Sequence, residues 1–364
     1  MGAALALARR GLGRVWPNPA VGCILVAGSN GRSVIVGRGW TQPGGRPHAE
    51  TEALARAGDH ARDATAYVTL EPCSHHGKTP PCADALIAAG VRRVVAAIED
   101  PDPRVSGRGV AQLRNAGIEV SLGVGAEEAR EINAGFLTRV TRGRPMIALK
   151  LATSLDGKIA LASGESRWIT GPEARQRGHL LRATHDAILI GTGTAAADDP
   201  QLTCRLGGLE DRSPLRIVLD RSLRLPSNAR LFDGAAPTWV IHGPGADGAS
   251  ATALRRRNKN HIEILEIPLA GDGKLDLPAL FALLAERGLT RVLVEGGGTL
   301  AAGLLRANLV DRLYWFRAGA VIGAEGRPAV ESLGLQDLAG MARFRRRDHV
   351  SCGDDVMEIW TPAP

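Results

Sequence analysis

Three residues set the frame of the first half of this chain. His48 stands in "PHAETEALARAG", where helical spacing begins and a glycine ends it. Cys73 stands in "TLEPC", directly behind the strand-like "ATAYVTL", and Cys82 heads "CADALIAAG", a second helical pattern with a glycine stop. A helix start, a strand end and a helix start must therefore present one imidazole and two thiols. Around them "VGCILVAG" and "SVIVGRGW" read as strands joined by a hairpin turn at "SNGR". "VRRVVAAIE" and "IEVSLGV" read as strands on either side of the helix "GVAQLRNAG", and a helix is expected near 126–138. The alternation predicts a sheet with helices on both faces.

A boundary falls near "TRGRP", 141–145, and a fresh strand, "MIALKLATS", opens a second alternation. "PEARQRGHLLRATH" is a helix, "AILIGTGT" a strand and glycine turn, "LRIVLD" a strand. "TWVIHG", "IEILEIP" and "RVLVEGGG" follow as strands, with helices at 276–287 and 299–307 and a closing strand in "DDVMEIW". The division expected is 1–143 and 144–364. With 364 residues, 44% of them hydrophobic but only 4% aromatic, two aliphatic cores are affordable.

Five cysteines, Cys23, Cys73, Cys82, Cys204 and Cys352, are too few and too uneven for a disulfide framework. No apolar run reaches the ~20 residues of a membrane span. The apolar start "MGAALALARRGLGRVW" is followed by its charges rather than preceded by them, which suits an amphipathic helix and a cytoplasmic protein. The net charge of +7 is scattered, with short clusters only at 255–257 and 345–347. That pattern favours small phosphorylated ligands over nucleic acid or membrane, beside the plain alternative of a solvated basic surface.

His48, Cys73 and Cys82 make three protein ligands and leave a fourth position open, the catalytic form of a zinc site rather than the closed structural form. Glu50, two residues past His48, is free of ligand duty and placed to move a proton between water and a leaving group. The ordered set is a stretched form of the zinc deaminase pattern, His-x-Glu followed by Pro-Cys-x-x-Cys. The bland alternative makes His48 a helix cap and the cysteines buried thiols; a structural zinc in a binding protein is another. Neither gives Glu50 a task.

"WPNPAVGCILV", "PHAETEAL" and "TLEPCSHHGKTPPCADALIAAGV" resemble the deaminase half of the bifunctional riboflavin-biosynthesis deaminase–reductases, a family with this long cysteine spacing. The resemblance implies a cytidine-deaminase-like α/β/α layered domain over 1–143. It makes 74–81 a substrate-reading loop whose return Pro80 and Pro81 stiffen. His75, His76 and Lys78 are then free of zinc. Lys78 is either a substrate or phosphate contact or a solvated lysine. Asn18, between two prolines, is implied to contact the pyrimidine, where the bland alternative is a turn asparagine.

In the second half, "ILIGTGTAAADDP" and "RVLVEGGGTLAAGLL" are two strand–glycine–helix turns without a P-loop lysine, which suits a dinucleotide better than a nucleoside triphosphate. "LKLATSLDGKIALASGESRWITGPEAR", "ILIGTGTAAADDPQLTCR" and "VEGGGTLAAGLL" resemble the reductase half of the same family, so the likeness spans nearly the whole chain. It implies a dihydrofolate-reductase-like α/β domain over 144–364 that uses NADPH. By motif, Ala152, Trp168, Thr194, Asp198 and the turn Gly297, Gly298, Thr299, Leu300, Ala301, Ala302 and Gly303 are implied to contact the cofactor, and Arg221, directly behind the strand "LRIVLD", is placed to meet the extra phosphate of NADPH at a position where the family varies. Ser166, Arg182, Leu202, Arg205 and Glu295 contact the substrate. Trp168 as a core residue, Asp198 as a helix cap and Arg182 as a dipole-complementing arginine are the bland alternatives. Lys150 and Asp156 fall near this site without an assigned role. The family implies zinc-dependent deamination of a phosphorylated diamino-pyrimidinone, then reduction of its ribosyl group to ribityl. A nucleoside or tRNA deaminase fused to an unrelated domain is the nearest rival. Assembly into a homo-oligomer is left open.

Overall fold

In the first hairpin, β1 (Gly22–Ser29) pairs antiparallel with β2 (Arg32–Trp40), and Cys23 lies opposite Gly39. Two helices come so close that only glycine fits beneath them. A Cβ on Gly22 would lie 1.9 Å from the carbonyl oxygen of Ala4 in α1 (Gly2–Ala8). One on Gly39 would lie 2.0 Å from that of Ala49 in α2 (Ala49–Ala57). Side chains alternate along a strand, so Gly22 and Gly39 face opposite ways and the two helices cover opposite faces of the sheet. The expected layering is thus present.

The computed structural model describes residues 1–29, 32–77, 80–246, 252–254 and 261–363. Its chain forms two units, Met1–Arg144 and Pro145–Pro364. In the first, β3 (Thr65–Val68) runs antiparallel to β1, and β4 (Arg93–Ala96) and β5 (Glu119–Leu122) continue parallel to β3, in the order β2-β1-β3-β4-β5. Helix α3 (Cys82–Ala88) lies between β3 and β4 in sequence, and α4 (Arg108–Asn115) between β4 and β5. Leu25, Val68, Leu86, Val94 and Leu113 fill the core. The helix expected near 126–138 is instead two, α5 (Ala126–Ile132) and α6 (Ala134–Arg142). They break at Asn133, whose side chain turns away to bond Ala20. Of the expected "SNGR" turn, residues 30–31 lie outside the described residues, and Ser29 and Arg32 pair across it.

The second unit holds a nine-stranded sheet among the described residues. Its strands are β6 (Met146–Thr153), β8 (Ala187–Gly191), β9 (Leu215–Leu219), β10 (Thr238–His242), β11 (Ile262–Glu266), β12 (Arg291–Val294), β13 (Arg312–Arg317), β15 (Phe344–Cys352) and β16 (Asp355–Pro362). The order is β11-β10-β9-β8-β12-β6-β13-β16-β15, parallel from β11 to β13 and antiparallel beyond. A separate ribbon pairs β7 (Lys158–Ala160) with β14 (Arg327–Pro328). The sequence pattern missed β13 and β15. The expected closing strand is β16, but it is not the edge, because β15 lies outside it. Arg345, Arg346 and Arg347 lie exposed on this edge strand, so β15 carries no apolar alternation to read. The arginine cluster 255–257 lies outside the described residues.

Late in the sheet's assembly β12 is inserted between β8 and β6, strands that entered the chain far earlier. Crevices at the carboxyl ends of parallel strands open at such reversals of order. Helix α7 (Pro172–Ala183) precedes β8, α8 (Thr192–Asp198) follows β8, α9 (Leu277–Glu286) precedes β12 and α10 (Gly298–Arg306) follows it. Both glycine turns therefore lie at the ends of adjacent strands. A Cβ on Gly297 would lie 3.7 Å from Thr194 Oγ1, so the two turns meet.

His185, just past α7, is buried; its Nδ1–H donates to the Leu181 carbonyl at 2.7 Å and its ring stands edge-on to Tyr314. Burial first, then the Arg291 charge, lowers its pKa from 6.5 to about 3. The unfolded chain then binds a proton below pH 6.5 that the folded chain refuses, so stability falls as pH drops through this window. Acidifying from neutrality to about pH 5 costs roughly 2 kcal/mol from this residue. Urea unfolding at both pH values should show His185→Phe losing about that much less stability on acidification than wild type does.

Candidate active sites

His48 has extended backbone angles and occupies the N-cap of α2, with Glu50 in the first turn. Cys82 is the first residue of α3, behind Pro81 at the N-cap. Cys73 ends the segment leaving β3, and its carbonyl accepts from Ala83 N, which ties the two cysteine-bearing segments together. His48 Nδ1 lies 3.3 Å from Cys82 Sγ and 3.7 Å from Cys73 Sγ, and Cys82 N donates to Cys73 Sγ at 3.3 Å. All three ligand atoms lie within 4.8 Å of one another. Zinc bonds of ~2.3 Å to sulfur and ~2.0–2.1 Å to nitrogen in a tetrahedron put N and S about 3.6 Å apart, so the cluster fits that ion.

The electrostatics agree. The Cys82 thiol beside Cys73, then His48, draws the Cys73 pKa down to about 4, while Cys73 and burial push Cys82 well up. Two thiolates side by side repel, and a divalent cation removes that conflict. Glu50 is 4% exposed, and burial, then Cys73, raises its pKa to about 7. A carboxyl so poised can both take and give a proton near neutrality.

Glu71, read from sequence only as part of the motif, is buried and accepts from three backbone N–H groups, those of Asp100, Gly107 and Val110, at 3.0–3.1 Å. It ties the cysteine segment to the loop before α4. His75 lies within the field of Asp102, which Arg104 grips through two nitrogens, and His75 Nδ1 is buried without a hydrogen-bond partner among the described residues. His76 is exposed and Lys78 lies outside the described residues. Asn18 Nδ2 donates to the Gly45 carbonyl at 2.7 Å, on the loop leading to His48.

In the second unit, Lys150 from β6, Arg182 from α7 and Glu295 after β12 converge. Arg182 Nε and Nη2 reach the two Glu295 oxygens at 2.8 and 2.9 Å, Arg182 Nη1 donates to the Thr203 carbonyl, and Lys150 Nζ stands 3.9 Å from Glu295 Oε2. Burial raises the Glu295 pKa, but Arg182 and Lys150 outweigh it and hold the group at about 2. Arg205 is exposed and lies within the field of Arg182 and Arg230. His179, missed in the sequence, accepts from Arg205 N at 3.3 Å; burial, then the charges of Arg182 and Arg205, lowers its pKa to about 4.

Leu202 has φ +56 and its side chain lies in the core, so its backbone alone is offered to a ligand. Trp168 is 68% exposed and stacks under Arg175 at 4.6 Å, which removes it from the core. Asp198 ends α8 rather than capping its start, and its carbonyl accepts from Arg167. Ser166 is half-buried and its carbonyl accepts from Ile169 N, closing the turn 166–169 that carries Trp168, and Ala152 lies near the end of β6. Thr194 meets Gly297 as described. Gly298, Thr299 and Leu300 form the first turn of α10, whereas Ala301 and Ala302 are buried and Gly303 packs against Leu277. Leu300 N already donates to the Gly297 carbonyl at 3.1 Å, so a cofactor there would meet the backbone N–H groups of 297–299 rather than alanine side chains. Arg221 follows β9, and its carbonyl accepts from Gly243 N. Asp156, unassigned in the sequence, accepts from Ile322 N and Gly323 N and so holds a loop in place.

A three-ligand zinc site with a buried acid beside it, followed by a parallel sheet with paired glycine turns, defines a zinc-dependent deaminase joined to a dinucleotide-dependent reductase. Two family models match accordingly: the cytidine and deoxycytidylate deaminase zinc-binding region over residues 1–98, and the RibD C-terminal domain over residues 145–357. The chain belongs to the RibD family of bifunctional riboflavin-biosynthesis deaminase–reductases. It is 44% identical to riboflavin biosynthesis protein RibD of Escherichia coli K12, over 98% of this chain and 96% of that one. It is 40% identical to RibD of Aquifex aeolicus, over 97% and 95%. The solved structure of Acinetobacter baumannii RibD superimposes with a TM-score of 0.87 at 36% identity, covering 100% of this chain and 98% of that one. A Thermotoga maritima structure described as a diaminohydroxyphosphoribosylaminopyrimidine deaminase/5-amino-6-(5-phosphoribosylamino)uracil reductase gives 0.85 at 36% identity, covering 100% and 97%. The fold is cytidine-deaminase-like in the first unit and dihydrofolate-reductase-like in the second, and the enzyme uses zinc and NADPH. No helix among the described residues is long and apolar enough to cross a membrane.

Proposed function

We propose that residues 1–143 hydrolyse the amino group from 2,5-diamino-6-(ribosylamino)pyrimidin-4-one 5'-phosphate, and that residues 144–364 reduce the ribosyl group of the product to ribityl. The observation that carries the first step is Glu50, buried beside three metal ligands yet not one of them. Zinc held by His48, Cys73 and Cys82 supplies a Lewis acid that brings the pKa of water toward ~7. Glu50 moves the two protons that water loses, one to the ring nitrogen and one to the departing amine, so a C–N bond is exchanged for C=O and ammonia leaves. Asn18 orients the pyrimidine through its amide.

For the second step, NADPH supplies a hydride to C1′ of the opened ribose. The N–H groups at 297–299 and the turn at Thr194 would hold its phosphates, with Trp168 and Arg221 as further contacts. Lys150, mostly buried and 3.9 Å from Glu295, is placed to keep a proton near the ribose. Arg205 is the exposed cation for the substrate phosphate. The partners this reading requires are small anions; it assigns nucleic acid no role.

The test runs on the intact chain. Supplied with the phosphorylated diamino-pyrimidinone and NADPH, it should release ammonia and then oxidise NADPH. Stripping zinc with a chelator should abolish ammonia release and leave NADPH oxidation on the deaminated intermediate unchanged. If chelation also stops reduction of that supplied intermediate, the two-site reading is wrong.

A further inference from the structure

The segment Pro19–Gly22, directly behind Asn18, has its backbone held largely by side chains. Ala20 N donates to Asn133 Oδ1 at 2.9 Å, and Asn133 Nδ2 donates to the Ala20 carbonyl at 3.1 Å. Val21 N donates to Thr41 Oγ1 at 3.0 Å, and that hydroxyl donates to the Pro19 carbonyl at 3.1 Å. Gly22 N donates to Thr69 Oγ1 at 3.0 Å. Asn133, Thr41 and Thr69 are all buried, and they come from the α5–α6 break, the end of β2 and the end of β3. Backbone groups that leave a sheet ladder must find partners elsewhere, and here three separate elements provide them.

The geometry points to Asn133 and Thr41 as positioning residues for substrate recognition in the deaminase site. They fix the backbone that follows Asn18, and Asn18 Nδ2 is in turn committed to the Gly45 carbonyl three residues before His48. That bond takes one of the two amide N–H donors and sets the plane of the amide, so Oδ1 and the second N–H present an acceptor and a donor side by side, which suits a pyrimidine edge. Asn133 lies beyond residue 98, where the match to the deaminase zinc-binding region ends, so this hold on Ala20 comes from outside that region. This inference rests on the reading of Asn18 as a substrate contact.

A side chain that acts through Asn18 should matter only while Asn18 is present. Asn133→Ala should raise the deaminase KM for the pyrimidine about tenfold, in keeping with the loss of two buried hydrogen bonds that hold a contact in register. Zinc content and NADPH oxidation on the supplied deaminated intermediate should stay at wild-type levels. Thr41→Val should act in the same direction, and Thr41→Ser, which keeps the hydroxyl, should restore KM even where Asn133→Ala folds poorly. In an Asn18→Ala background, Asn133→Ala and Thr41→Val should add little to KM. If Asn18→Ala raises KM but the other substitutions multiply it independently, or lower the melting temperature with KM unchanged, the positioning role is overturned while the reading of Asn18 stands. If Asn18→Ala leaves KM at the wild-type value, the reading of Asn18 fails and this inference with it.

Discussion

Replacing Glu50 with glutamine will cut ammonia release by roughly 10²–10⁴-fold while zinc stays bound, because the amide keeps the shape of the carboxylate but cannot carry a proton between water and amine. The residue is buried against the cluster, and its pKa is raised by that burial and by Cys73, so its charge is matched to the site rather than to solvent. Metal content measured beside turnover separates this role from ligation. Cys73→Ser or Cys82→Ser, by contrast, removes one of three protein ligands and should lose the metal itself. Reduction of a supplied deaminated intermediate serves as the control in each case and should proceed at the wild-type rate. Near wild-type turnover in Glu50→Gln would reassign the proton shuttle to another group.

The zinc cluster is legible in sequence because each ligand sits at a helix start or strand end, where local signals are strongest. His48 at an N-cap and Cys82 as a first helical residue need no knowledge of distant contacts. The substrate side of both sites is less legible. Arg182 and Glu295 pair across 113 positions, as do Ala20 and Asn133, and no periodicity within a window reports such a pair. Asn133 even reads as part of one continuous helix, since its break is set by a bond to Ala20 rather than by a proline or glycine. Strand β15 was hidden for the opposite reason: an exposed edge strand needs no buried face, so arginines replace the alternation that marks a strand. The glycine turns were read correctly as turns, but that Gly297 and Thr194 face each other follows only from β12 entering the sheet beside β8.

The two arginines of the reductase site should separate under mutation. Arg182 commits three of its nitrogens, two to Glu295 and one to the Thr203 carbonyl, and its side chain is 15% exposed. It stands in the last turn of α7, but its guanidinium reaches across to β12 rather than only answering the helix dipole. Arg205 is exposed and is held through its backbone by His179. Arg182→Ala leaves Glu295 with Lys150, 3.9 Å away, as its remaining ion-pair partner among the described residues, and breaking a buried pair in this way costs about 3–5 kcal/mol. That variant should melt early and lose activity equally on phosphorylated and dephosphorylated substrate. Arg205→Ala removes a charged hydrogen bond to the phosphate, about 1.5–3 kcal/mol, which is roughly ten- to a hundredfold in KM for the phosphorylated form. Its melting temperature, its NADPH affinity and its KM for the dephosphorylated form should barely change. If Arg205→Ala weakens both substrates alike, the phosphate is held elsewhere; if Arg182→Ala alone erases the preference at unchanged stability, the anchor is the buried arginine and the Glu295 pair opens to receive the substrate.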